Sequence, residues 1–325
     1  MLSLLKVQTT ISVLIPAYNA ADFILEALES VSVQSRPPEQ IIVVDDGSTD
    51  KTADLVQRWS TEKSIAVDLI RQENVGLPGA RNRGVQASTC DFIALLDADD
   101  LYLPDHLAEM ERVICSHPSA VAAFGDGVTF GPSGADSEPF SRDKAIDAAC
   151  AMSDGVYILG EKLYRSLLCG NYIMPCSFVF RREAAVRIGM FDESLRFIED
   201  RDFMLRLSKK GPFAFFDRVI SRARMHEGNI THSRNTMRNT YFTLRVLEKA
   251  LDQAEEYDLD EQELLLTKAE FRRTANLLLY ASSVQGLNAY VQAARWLSGK
   301  PFAPGTINKH LLRALYYTFK ILRKS

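Results

Sequence analysis

The sequence predicts an α/β protein, in which a mostly parallel, Rossmann-like sheet flanked by helices is followed by a helical C-terminal extension. Three observations predict it. Four β-rich apolar runs between residues 11 and 96 are each followed by a segment whose apolar residues recur at helical spacing. Carboxylates cluster where two of those runs end. From about Asn235 onward leucines dominate the apolar positions and β-rich runs become rare.

Ile11 to Ile15 reads as the first strand, and Ala20 to Val33, with Phe23, Ile24, Ala27, Leu28 and Val31, as the helix after it. The pattern repeats three times: Ile41 to Val44 then Thr49 to Trp59, Val67 to Ile70 then Pro78 to Ala87, Phe92 to Leu96 then Pro104 to Cys115. Strand and helix in alternation imply right-handed crossovers and a parallel, doubly wound sheet. After Ala120 the rhythm breaks into short pieces such as Ala120 to Phe124 and Ser177 to Phe180, around a Gly, Pro and Ser rich loop from Gly131 to Pro139. This half is expected to supply the second wall of a cleft. A domain boundary is placed at 232/233, dividing the chain into 1–232 and 233–325, and no fixed-period repeat is evident.

The 325 residues, 46% hydrophobic, suffice for one large domain with an appendage. A formal net charge of -4 provides no chain-wide basic field, so nucleic acid is not expected as a partner. Cys90, Cys115, Cys150, Cys169 and Cys176 are odd in number and lack CxxC spacing, which argues against a zinc site or disulfide scaffold and fits a reducing cytoplasm. Residues 1 to 10 lack the features of a secretory signal. The uncharged stretch Thr274 to Ala294 is interrupted by Asn276, Ser282, Ser283, Gln285, Asn288 and Gln292, and reads as one packed helix, not a membrane span.

The strongest chemical signal is Leu95-Leu96-Asp97-Ala98-Asp99-Asp100, where the fourth apolar run ends in three carboxylates within four residues. A buried strand that delivers acids to its C-terminal end places them where α/β folds bind ligands. Such acids repel, and a hard divalent cation carrying a phosphate-bearing substrate offsets that cost. One of Asp99 and Asp100 is also accounted for as the cap of the helix near Pro104.

Three further motifs precede it. Ser12-Val13-Leu14-Ile15-Pro16-Ala17-Tyr18-Asn19 ends the first strand, and Val43-Val44-Asp45-Asp46-Gly47-Ser48-Thr49-Asp50 ends the second. Asn74-Val75-Gly76-Leu77-Pro78-Gly79-Ala80-Arg81-Asn82-Arg83-Gly84 opens the third helix. In this order, over roughly residues 11 to 232, the motifs resemble those of the family 2 glycosyltransferases, and the resemblance implies a GT-A fold. It implies a nucleotide-sugar site made of Pro16, Ala17, Tyr18, Asp46, Arg81, Asp97 and Ala98. In that site Asp46 accepts the imide hydrogen of uracil, Asp97 meets the ribose or the metal, and Asp99 holds Mn2+ or Mg2+ bridging the diphosphate. A turn or cap contact for Asp46, and a surface position for Arg81 or Arg83, are the plainer alternatives. A receiver-type phospho-acceptor aspartate is disfavoured by the length of the chain.

Phe191 to Leu207 places Glu199, Asp200 and Asp202 where an amphipathic helix starts, and the helix dipole alone would favour acids there. By resemblance Asp200 is the catalytic base that removes the acceptor hydroxyl proton, Glu199 its orienting or acceptor-contacting neighbour, and the anomeric carbon is inverted. Asp202 is the reserve candidate. Arg222-Ala223-Arg224-Met225-His226 follows another strand, and the resemblance makes His226 a metal ligand. A structural hydrogen bond is its ordinary alternative, and Arg224 and Ser233 are fainter phosphate contacts.

Gln292-Ala293-Ala294-Arg295-Trp296 matches the QxxRW pattern of processive polymer-making relatives. It lies far downstream of Asp200 without membrane spans, so Trp296 reads as a packing residue. Thr306 to Ser325 carries Lys309, Arg313, Lys320, Arg323 and Lys324 and no acid, which suits either a peripheral contact with anionic lipid on the inner face of the cytoplasmic membrane or a helix with a solvated basic face. The helical extension is equally open to forming a homodimer or holding acceptor.

The sequence thus points to transfer of one sugar from a nucleoside-diphosphate donor, a UDP-sugar by preference, to a hydroxyl of a glycan, lipid-linked glycan or cell-envelope polymer. A sugar nucleotidyltransferase would carry a Gly-rich loop where Pro16 to Asn19 stand. A non-catalytic nucleotide-sugar-binding subunit is the alternative from another class, and a general base would have no use in it.

Overall fold

The structure is a computed structural model and describes residues 9–131, 136–226, 236–301 and 308–322. The chain divides into two compact units, Met1–His226 and Glu227–Ser325. The boundary expected at 232/233, with Ser233, lies outside the described residues.

The first unit opens with β1 (Ile11–Ala17), α1 (Ile24–Ser32), β2 (Gln40–Asp45), α2 (Thr52–Lys63), β3 (Asp68–Arg71), α3 (Leu77–Ala87) and β4 (Phe92–Leu95). The pairs β1 with β2, β2 with β3 and β1 with β4 are all parallel. Alternation along β1 separates two faces. Ile11, Val13, Ile15 and Ala17 share a core with Ile24, Leu28 and Val31 of α1 and with Val56 and Trp59 of α2. Leu14, pointing the other way, meets α3, where a Cβ added to Gly84 would fall 2.0 Å from Leu14 Cδ1. Helices therefore cover both faces, and Gly84 lets α3 reach the sheet.

The chain continues through β5 (Leu101–Tyr102), α4 (His106–Ser116), β6 (Ala122–Phe130), α5 (Arg142–Ala148), β7 (Ala151–Ser153), β8 (Val156–Leu159), α6 (Leu163–Cys169), β9 (Phe178–Arg181), α7 (Arg182–Arg187), α8 (Glu199–Ser208) and β10 (Phe213–Arg224). The strand order is β3-β2-β1-β4-β9-β6-β10-β8-β7, with β5 on β10. β9 runs antiparallel between β4 and β6, so the parallel sheet becomes mixed at that point. The short strand expected at Ala120 to Phe124 extends to Phe130, because β10 pairs with it along its length.

Three helices start later than their spacing predicts: α1, α2 and, by two residues, α4. Ala20 and Ala21 donate backbone N–H to Thr52 Oγ1 and Asp50 Oδ2, which holds the entry to α1 as a turn. Asp50 Oδ1 accepts both the N–H and the hydroxyl of Thr52, so α2 begins there and not at Thr49.

In the second unit the described helices are α9 (Thr236–Asp252), α10 (Glu261–Gln285), α11 (Leu287–Ser298) and α12 (Asn308–Leu322). Asp260 and Glu263 close a capping box on α10, with Glu263 N donating to Asp260 Oδ1 at 2.7 Å and Asp260 N donating to Glu263 Oε2 at 3.0 Å. The stretch Thr274 to Ala294 is two helices and not one. Gly286, at φ +112°, breaks it with a backbone that L side chains rarely adopt. Trp296 packs on Tyr241 with ring centroids 5.0 Å apart, as expected of a packing residue. Among the described residues no helix is long and apolar enough to cross a membrane.

Candidate active site

The site is assembled at the C-terminal tips of β1, β2 and β4, where α3, α8 and the end of β10 meet them. Pro16 and Ala17 are buried at the end of β1, and Tyr18 beyond them is exposed. Asn19, at φ +49°, receives the N–H of Thr49 on Oδ1 and donates its own N–H to Ser48 Oγ, which ties the first tip to the second.

Asp45 and Asp46 are both buried. Asp45 Oδ1 accepts the Ser48 N–H at 3.0 Å, which forms the turn out of β2. Asp46 Oδ1 accepts from Gln72 Nε2 (2.8 Å) and Val75 N (3.0 Å), and Oδ2 accepts from Gly76 N (2.8 Å). Asp46 therefore also organises the loop that starts α3. Three donors leave about one of its four lone-pair positions unused. Gly76, at φ +92°, supplies the turn that aims two successive N–H groups at that carboxylate.

Arg81 is 1% exposed. Both ends of its fork are committed inside the protein. Nη2 donates to Asp97 Oδ1 at 2.8 Å and Nη1 to Glu199 Oε1 at 2.6 Å, with Phe191 5.5 Å from the guanidinium carbon. Burial works against its charge, but Asp97, Glu199 and Asp200 together outweigh it and hold the guanidinium more firmly protonated than usual. Arg83 is exposed, in keeping with a surface role.

Ala98 is buried, while the Asp97 and Asp99 side chains are each partly open. Asp99 Oδ2 lies 2.9 Å from His226 Nε2. Burial and then the neighbouring Asp97 raise the Asp99 carboxyl, and the bond to His226 pulls it back. His226 is stacked on Phe23, with centroids 4.8 Å apart. Asp100 does not cap α4: its Oδ1 accepts the Arg224 N–H at 2.9 Å. Burial, then Asp99 and Asp97, raise the Asp100 carboxyl well above the usual range.

Arg224 is half-buried, donating Nε to the Asp99 carbonyl at 3.0 Å and Nη2 to the exposed Glu26 at 2.7 Å. β5 explains this convergence. It follows the acidic loop directly and pairs Leu101 with Arg222 and Tyr102 with Ser221, so the end of β10 is stitched beside the acids.

Glu199 and Asp200 open α8. The preceding Ile198 has φ +63°, a costly conformation for a β-branched residue, and it turns the chain into the helix. Burial pushes the Glu199 carboxyl up to about 8, against the pull of Arg81 and with the help of Asp200. Asp200 is half-buried, and its Oδ2 accepts from Asn171 Nδ2 at 2.8 Å while Oδ1 accepts the Arg201 N–H at 2.8 Å. The reserve candidate Asp202 is fully buried and paired with Arg206, Oδ2 to Nη2 2.5 Å, so it serves the helix. Sequence reasoning missed Asn171, Phe23 and Glu26. None has a local pattern that marks it, since each acts on a residue far along the chain.

A divalent cation fits this donor set. Asp99 and His226 already share a hydrogen where an ion would sit, and both are partly open. Among the described residues no group of three His, Cys, Asp or Glu forms a closed cage. Such a site suits an ion that takes its remaining ligands from phosphate and water.

Comparison with known proteins bears on the family and the fold. The model of glycosyl transferase family 2 matches residues 12–185. An uncharacterized glycosyltransferase of Rickettsia typhi is 24% identical over 267 residues, covering 79% of this chain and 75% of its own. TuaG of Bacillus subtilis, whose name refers to teichuronic acid biosynthesis, is 28% identical over 242 residues, covering 74% and 88%. Among solved structures, S. aureus TarS with UDP-GlcNAc has a TM-score of 0.66 at 17% identity, over 94% of this chain and 85% of that one. The mannosyltransferase PcManGT of Pyrobaculum calidifontis, solved with GDP-Man and Mn2+, has a TM-score of 0.56 at 19% identity, over 98% and 89%. At these identities the likeness shows the shared GT-A fold. The family match spans more than half of the chain and ends at residue 185, before Glu199; on it, this chain belongs to the family 2 glycosyltransferases.

Proposed function

We propose that this chain is an inverting glycosyltransferase, moving one sugar from a nucleoside-diphosphate donor, a UDP-sugar by preference, to a hydroxyl of a glycan, lipid-linked glycan or cell-envelope polymer. The observation that carries the reading is the convergence of Asp97 and Asp99 at the tip of β4 with Glu199 and Asp200 at the head of α8. Arg81 links the two pairs.

In this reading Asp46, with its remaining lone pair, takes the uracil imide hydrogen between Tyr18 and the loop before α3. Pro16, Ala17 and Ala98 form the apolar floor, and Asp97 meets the ribose. Asp99 and His226 hold Mn2+ or Mg2+, which supplies Lewis-acid neutralisation of the departing diphosphate when bound. Asp200 takes the proton of the acceptor hydroxyl as its oxygen bonds to the anomeric carbon and the carbon–diphosphate bond breaks. Asn171 and the Arg201 N–H orient that carboxylate, and Glu199 keeps Arg81 in place. Attack opposite the leaving group inverts the anomeric carbon.

The ligands bound in the TarS and PcManGT structures, UDP-GlcNAc and GDP-Man, support a nucleotide-sugar donor. The name of TuaG supports a cell-envelope acceptor. A nucleotide-sugar donor also favours a cytoplasmic location.

The test is calorimetry and nucleotide release with UDP-, GDP- and dTDP-sugars, with Mn2+ and after chelation. We expect one base to bind, and release to need the metal. Asp200→Asn should lower release by about 100-fold or more while nucleotide binding persists. Unchanged release in that variant would reject Asp200 as the base. Failure of every sugar nucleotide to bind would reject the donor reading.

A further inference from the structure

We propose that one face of the C-terminal unit, formed by α10 and α12, docks on an anionic lipid surface. The first observation is a charge division along the chain. The last 55 residues, 271–325, contain nine Lys or Arg and no Asp or Glu, whereas the whole chain has a formal net charge of -4, so the first 270 residues carry -13. A protein that is acidic overall thus confines an acid-free basic field to its final helices.

The second observation is what those helices leave uncovered. On α10, Leu277, Tyr280 and Val284 are exposed and spaced three and four residues apart, which places them on one stripe. On α12, Leu312 is 75% exposed and Tyr316, one turn on, 61%, while Ala314 and His310 face inward and are buried. The Arg313 guanidinium carbon lies 4.5 Å from the centroid of the Tyr280 ring, which joins the two stripes into one patch. Arg313 makes no ion pair among the described residues, unlike Arg273 and Lys300, which pair with Glu270 and Glu248.

Leucine and tyrosine outward, with an arginine that makes no ion pair among the described residues and no acid in residues 271–325, is the chemistry of a helix lying in a bilayer interface. The apolar groups enter the acyl boundary, and the cations meet anionic headgroups. A second copy apposing the same face would set like charge against like. Nucleic acid would leave the aliphatic side chains without a partner. The contact would tether the chain in the membrane plane, and it stands or falls independently of sugar transfer.

The test is flotation of the full chain with vesicles of phosphatidylcholine alone and of phosphatidylcholine mixed with phosphatidylglycerol. We expect flotation with the anionic vesicles only, weakening as salt is raised. Arg313→Ala should lower the partition about fivefold. Leu312→Glu with Tyr316→Glu should abolish it, while circular dichroism and nucleotide binding stay unchanged. Equal binding to both vesicles, or to neither, would overturn the proposal. So would a dimer, seen by light scattering, that the same substitutions dissolve, or a preference for RNA over anionic vesicles in competition.

Discussion

Arg81 Nη1 lies 2.6 Å from Glu199 Oε1, joining the fifth residue of α3 to the first residue of α8 across 118 positions of sequence. The other Nη holds Asp97. One buried cation therefore sets the distance between the donor-side acids and the acceptor-side acids, which places a rigid strut between two groups that the proposed chemistry needs in register.

Removing that strut should be costly. Arg81→Met leaves Asp97 without its counter-charge and the buried Glu199 carboxyl without its hydrogen-bond donor, and we expect a loss of about 3–5 kcal/mol in urea unfolding. Arg81→Lys keeps a charge but has no fork to span both carboxylates, so it should restore only part of the loss. The double variant Arg81→Met with Glu199→Gln should recover stability relative to Arg81→Met alone. A single variant within about 1 kcal/mol of the parent protein would show that the pair is not a strut.

Asn171 should matter to rate more than to binding. Its amide holds Asp200 Oδ2, and no other described side chain donates to that oxygen. Asn171→Ala frees the carboxylate to rotate, so kcat should fall about tenfold or more with the donor KM little changed. A rise in donor KM at constant kcat would instead place Asn171 in donor binding.

Two groups of acids were legible because each ends an apolar run abruptly, Val44 into Asp45 and Asp46 and Leu96 into Asp97, while Glu199 and Asp200 were legible as acids at the start of an amphipathic helix. The strand and helix alternation over 11–116 was legible for the same reason, as local periodicity reports which face is buried. Contacts between distant residues leave no such period. Nothing in the sequence around Arg81 marks its link to Glu199, 118 residues away, and the two residues of β5 are too few to show a pattern, yet they seat His226 at Asp99. The pairing of Asp202 with Arg206 did have a signal, the four-residue spacing of acid and arginine on one helix.

Asp100 acts as a clamp, and an amide should serve it as well as a carboxylate. Its Oδ1 accepts the Arg224 N–H, two residues before His226. Asp100→Asn keeps that acceptor without burying a charge, so stability should change by less than about 1 kcal/mol. Asp100→Ala leaves the N–H unsatisfied and should cost about 1–3 kcal/mol, and Mn2+-dependent nucleotide binding should weaken with it. If Asn and Ala behave alike in both melts and calorimetry, the clamp is not what holds β10 at the acids.

His106 should give the fold an acid limit of its own. It is fully buried, stacked on Tyr102 with centroids 3.7 Å apart, and its Nδ1 lies 3.2 Å from the Ile220 carbonyl. Burial lowers its pKa to about 3, with the Ile220 bond opposing. The unfolded chain, with an ordinary histidine near 6.5, binds this proton more readily than the folded chain does, so stability is complete above that value and is lost as pH falls toward 3. Between pH 7 and pH 5 the loss should be about 2 kcal/mol from this group. His106→Phe keeps a ring against Tyr102 and removes the titration, so the difference in unfolding free energy between parent and variant should shrink steadily from pH 7 to pH 5. A constant difference across that range would mean that His106 is charged inside the fold or reached by water.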